Sequence, residues 1–67
     1  MGNVPKWSAS LVGKMHLYGV SQSQLAENLG ISREFVNCVL NGRRELKGAK
    51  DRFNAALDEI IKSRGES

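Results

Sequence analysis

Between positions 32 and 44 the chain reads Ser-Arg-Glu-Phe-Val-Asn-Cys-Val-Leu-Asn-Gly-Arg-Arg. The polar side chains of this run suit directed contacts to an anionic, edge-patterned partner. Arg33 can donate two bonds to guanine O6 and N7, the commonest base-specific contact. Glu34 can accept from cytosine N4, or it can position Arg33. Asn37 can pair with adenine or reach a phosphate. Ser32 is ambiguous, because its hydroxyl can be occupied by capping a helix. Cys38 is small; it allows close approach or touches a thymine methyl. Bond-making chemistry finds no comparable set. The serines and the single histidine, His16, form no nucleophile elbow and have no acidic partner at a useful spacing. One cysteine and one histidine exclude an internal disulfide and speak against a structural zinc site. There is no phosphate loop and no paired acid and base. The chain therefore reads as a non-enzyme with no metal, no cofactor and no evident small-molecule ligand.

Charge points the same way. The net charge of the 67 residues is +3. Residues 1–32 carry Lys6, Lys14 and Glu27, and residues 53–67 are slightly acidic. The excess lies in the middle, where Arg33, Arg43, Arg44, Lys47, Lys50 and Arg52 outnumber Glu34, Glu45 and Asp51. A concentrated basic region suggests nucleic acid, although a solvated basic face is the plain alternative.

The elements that must hold these residues are helices. Alternating β-branched runs are absent, and apolar residues recur at three and four. Trp7, Leu11, Met15 and Tyr18 mark the inner stripe of a first helix, with Pro5 in its first turn and Gly19 at its end. Ser21 caps a second helix, and Gln24 completes a capping box. Leu25, Ala26 and Leu29 form its buried stripe, and Gly30 ends it in a left-handed conformation. Ile31 points back to the core and Ser32 caps a third helix with Val36, Val39 and Leu40 inside. Asn41-Gly42 ends that helix, since both residue types tolerate positive φ. Leu46 ties the next loop to the core. A last helix over about 48–63 buries Phe53, Ala56, Leu57, Ile60 and Ile61. The expectation is one all-α domain over 1–67, with four to five short helices and a frayed Gly65-Glu66-Ser67 end.

The motif over 21–40 resembles the helix-turn-helix of the Cro/C1-type, XRE-like family of phage repressors. The residues that carry the resemblance are Gln22, Leu25, Ala26, Leu29, Gly30, Ile31, Ser32, Val36 and Val39, with Asn41-Gly42-Arg43 trailing. It covers the motif closely and the flanking helices loosely. It implies a lambda-repressor-like fold, a recognition helix over 32–41 in the major groove, and a backbone phosphate at Gln22. The residues support this independently. Small Ala26 permits a close helix crossing, and the glycine turn sets the two helices at a steep angle. With about 100° per residue and the core centred on Val36, Val39 and Leu40 lie within about 60° of it. Glu34, Asn37, Cys38 and Asn41 lie more than about 90° away. The N-terminal part of a recognition helix meets base edges. The candidate base readers are thus Ser32, Arg33, Glu34, Asn37 and Cys38. The candidate phosphate contacts are Ser21, Gln22, Asn41, Arg43, Arg44 and Lys47; such contacts fix register without reading sequence.

The function expected is sequence-specific binding of double-stranded DNA by a small bacterial, phage or mobile-element transcriptional regulator, a repressor rather than an activator. A homodimer on DNA is expected, because one such module binds weakly and operators are two-fold. The alternative is a protein-interaction module, an antitoxin or adaptor built on the same fold. Phe35, about 100° from the core centre, either packs against the last helix or serves such an interface. Plainer roles stand beside these: Arg33 and Glu34 as a solvated helix start, Cys38 as a small surface residue, His16 on the surface, Trp7 capping the core. No apolar run spans a bilayer, no secretory signal opens the chain, and Lys6 stands where a Met-Gly myristoylation signal needs Ser or Thr. These features set the expected location as cytoplasmic and nucleoid-associated, with no membrane partner.

Overall fold

Glycines end the first two helices, and serines cap the starts of the second and third. The computed structural model describes residues 4–65. The Met1-Gly2 start and the Glu66-Ser67 tail, read above from sequence, lie outside the described residues. Four helices run in order: α1 over Lys6–Tyr18, α2 over Gln22–Leu29, α3 over Arg33–Leu40 and α4 over Ala49–Gly65. The described residues contain no strand, so the domain is all-α. No helix among them is long and apolar enough to cross a membrane.

Pro5 stands just outside α1 rather than in its first turn. Its backbone is extended (φ −63°, ψ 147°), and its carbonyl accepts from the Ser8 and Ala9 N–H groups. At the start of α2, Ser21 Oγ accepts from the Gln24 N–H at 3.1 Å, and Gln24 Oε1 accepts from the Ser21 N–H at 2.9 Å. This is the expected capping box, and it satisfies two N–H groups that a helix start leaves without partners. Ser32 Oγ does the same for the Phe35 N–H at 3.0 Å.

Gly30 adopts φ +75°, and both its own N–H and that of Ile31 reach the Ala26 carbonyl, at 2.8 and 3.1 Å. That closed loop reverses the chain within three residues and starts α3 directly. At the end of α3 the two candidate residues divide the task. Asn41 keeps φ −90°, while Gly42 takes φ +77° and lets the Arg43 N–H return to the Cys38 carbonyl at 2.8 Å.

The core lies where the four helices meet. Leu11, Met15, Leu25, Ala26, Val36, Val39, Leu40, Phe53, Ala56 and Leu57 are buried, with Val20 closing the α1–α2 turn. Leu29, Ile31, Leu46, Ile60 and Ile61 pack at its margin. Trp7 caps it edge-on, its ring 5.6 Å from that of Phe53 at 84°. Phe35 is half-buried against the same core, and the Arg44 guanidinium lies 5.6 Å from the centre of its ring.

Two details correct the sequence reading. Tyr18 is 48% exposed and does not join the inner stripe, because α1 ends there and Val20 supplies the apolar side chain beyond the turn. Ser8 takes an inner position instead. It is 1% exposed, and its Oγ donates to the Leu40 carbonyl at 2.6 Å. The last helix also begins at Ala49 and extends to Gly65, a shift of its boundaries within the usual spread of helix ends.

Candidate nucleic-acid interface

The start of α2 and the outer side of α3 enclose one open depression. It is lined by Ser21, Gln22, Ser23, Arg33, Glu34, Asn37, Cys38 and Arg43. Gly30 makes this possible, since the turn it forms lets the outer side of α3 face the start of α2, where Asn37 meets Gln22. Gly42 adds the last member by turning Arg43 back to the level of Cys38. Arg33, Glu34, Asn37 and Arg43 are exposed; Gln22 and Cys38 are half-buried.

Four of the five candidate base readers line the depression. Ser32 does not, and its hydroxyl is engaged in capping. Of the candidate phosphate contacts, Ser21, Gln22 and Arg43 line it. Arg44 and Lys47 border a separate depression with Pro5, Trp7, Val39 and Leu46, and the Arg44 guanidinium lies over the Phe35 ring. Asn41 turns its amide back onto α3, donating to the Asn37 carbonyl at 2.9 Å and to Asn37 Oδ1 at 3.0 Å. Asn37 Nδ2 in turn donates to Gln22 Oε1 at 3.3 Å, which links the two helices across the floor of the site. Glu34 is not in ion-pair contact with Arg33; the ion pair found among the described residues is the exposed Lys14–Asp58, at 4.0 Å.

Sequence reasoning did not find Ser23, whose position in the first turn of α2 reads only as a solvent-facing helix start. It also missed Ser8, although a signal existed: Ser8 precedes Leu11 by three and Met15 by seven, on the inner face. The hydrogen bond of Ser8 anchors α1 to the C-terminal end of α3, and so steadies the helix that carries the site.

The arrangement is rich in donors, with two guanidinium groups, amides and hydroxyls around one carboxylate. It suits a partner presenting acceptors and negative charge. Among the described residues no group of three or more His, Cys, Asp and Glu side chains is placed to hold a metal. No protein-family model matches the chain, and no curated protein or solved structure matches it.

Proposed function

We propose that this protein binds double-stranded DNA in a sequence-specific way, with α3 in the major groove, and acts as a small transcriptional regulator of the Cro/C1-type helix-turn-helix class. The observation that carries the proposal is the shared depression of Gln22, Arg33, Glu34, Asn37, Cys38 and Arg43. It places groups able to read base edges beside cations able to hold phosphates, on the rim of two short helices joined by a tight turn. The basic excess of residues 33–52 supports the same reading. A repressor is the simpler role for a minimal domain, since occupying a promoter requires no further surface. Two copies on a two-fold operator, with half-sites about 34 Å apart, give the affinity that one module lacks.

The test is selection of bound duplexes from a random pool, followed by titration of the selected duplex at several salt concentrations. A two-part motif and a steep fall of affinity with salt are expected. A pool that stays random together with a flat salt response would instead favour the protein-interaction module.

A further inference from the structure

Two amides that line the depression, Gln22 and Asn37, form a chain with Asn41 just beyond it, and the direction of the chain is fixed at one end. Asn41 Nδ2 donates to the Asn37 backbone carbonyl at 2.9 Å. A carbonyl oxygen only accepts, so Asn41 must face it with nitrogen and not with oxygen. The same nitrogen meets Asn37 Oδ1 at 3.0 Å. Asn37 therefore turns its oxygen to Asn41 and its nitrogen to Gln22. Asn37 Nδ2 then donates to Gln22 Oε1 at 3.3 Å. Gln22 turns its oxygen to the chain and so directs Nε2, which can only donate, away from Asn37.

We propose that Asn41 is a positioning residue that sets the polarity of this surface, so that Gln22 presents a donor to the partner and Asn37 serves as a link between helices rather than as a reader of adenine. The proposal rests on the DNA-binding reading above. Pairing with adenine requires one amide to accept from N6 and donate to N7 at once. The Asn37 amide already uses one lone pair on Asn41 and one N–H on Gln22, which hold its plane between the two helices and favour the link over a bidentate contact to a base. The group opposite Gln22 Nε2 must be an acceptor. Guanine, with O6 and N7, is the best match in the major groove, and a phosphate oxygen offers the same chemistry. Asn37 and Asn41 are exposed and Gln22 is half-buried in the free protein; closing DNA over them removes competing water and strengthens each bond.

Two measurements test this. The first needs no DNA: side-chain amide signals of Gln22 and Asn37 are compared by NMR in the wild type and in Asn41→Ala. Both residues' signals are expected to move, with the thermal midpoint nearly unchanged; an unmoved Gln22 signal means that no chain reaches it and overturns the proposal. The second is selection from a random duplex pool with the wild type, Asn41→Ala and Gln22→Glu. Gln22→Glu keeps the acceptor facing Asn37 and removes the outward donor. If the acceptor is guanine, both variants lose preference at the same position by about tenfold. If it is a phosphate, both weaken every sequence and leave the motif intact. Asn41→Ala with wild-type affinity and motif overturns the proposal, as does an adenine preference that disappears in Asn37→Ala. A wild type that enriches no duplex overturns the DNA-binding reading itself and, with it, the role given to Asn41, whatever the NMR signals show.

Discussion

Ser8 solves a problem that α3 cannot solve alone. The last carbonyls of a helix have no intrahelical donor, and the Leu40 residue is buried where water is scarce. Ser8 Oγ supplies the missing bond at 2.6 Å from another helix. Ser8→Ala should lower the unfolding free energy by about 1–3 kcal/mol, since it leaves a buried acceptor unsatisfied. Urea denaturation measures this, and a loss under about 0.5 kcal/mol would show that the carbonyl finds another partner. The two arginines of the depression differ in their expected behaviour. Arg33 stands at the N-terminus of α3, and Arg43 stands beyond its C-terminus on the returning turn. Arg33→Ala should cost about 1–3 kcal/mol on the selected duplex and relax preference at one base pair. Arg43→Ala should weaken all sequences alike and reduce the slope of log K against log salt by about 0.9. Identical behaviour of the two variants across a randomised site library would remove this division of roles.

At the scale of elements, the α2–α3 unit depends on backbone freedom at Gly30 and on a small side chain at Ala26. A Cβ added at Gly30 meets no atom within 4 Å, so crowding is not the obstacle. The cost of Gly30→Ala comes from holding an L-residue at φ +75°, about 1–2 kcal/mol. Ala26 is the opposite case. It is 4% exposed in the core, so Ala26→Leu should overpack the helix crossing and cost about 1–3 kcal/mol. Thermal unfolding read together with DNA selection separates the two mechanisms. Gly30→Ala should lower the midpoint while DNA preference survives, because the neighbouring space is open. Ala26→Leu should lower the midpoint and also disturb binding, because it forces α3 away from α2. An unchanged midpoint for Ala26→Leu would contradict the close crossing.

At the scale of the whole molecule, charge is unevenly spread: two arginines and Glu34 line the α2–α3 depression, while Arg52 and Lys62 stand beside Asp58 and Glu59 on the α2–α4 side. Arg33 and Arg43 share the depression between α2 and α3. Glu27 and Glu59 lie on the surface formed by α2 and α4, where Asn28 Nδ2 donates to Glu59 Oε1 at 3.0 Å. A molecule with this asymmetry approaches a polyanion preferentially by one side. If two copies read a two-fold site, the spacing of the half-sites must match the helical repeat of DNA. Inserting about five base pairs between the selected half-sites rotates one of them to the far side of the duplex. Affinity should then fall to that of a single half-site, and inserting about ten should restore much of it. Equal affinity for all spacings would mean that single copies bind independently.

Local rules made much of the fold legible in the sequence. The capping box of Ser21 and Gln24, the cap at Ser32 and the turns at Gly19 and Gly30 involve residues no more than five apart, so their geometry is set by neighbours along the chain. The helical period likewise marked Val36, Val39 and Leu40 as inner residues, left Glu34 and Asn37 outside and put Arg33 on the flank. What the sequence did not contain were relations between residues distant along it. Ser8 meets Leu40 across 32 positions, and Asn37 meets Gln22 across 15. The position of Arg44 over the Phe35 ring, and its separation with Lys47 from Arg43, depends on how the chain returns after Gly42. Side-chain type alone cannot distinguish an arginine free to contact a partner from one stacked on a neighbouring ring. Only packing in three dimensions decides which polar groups face one another and which remain available.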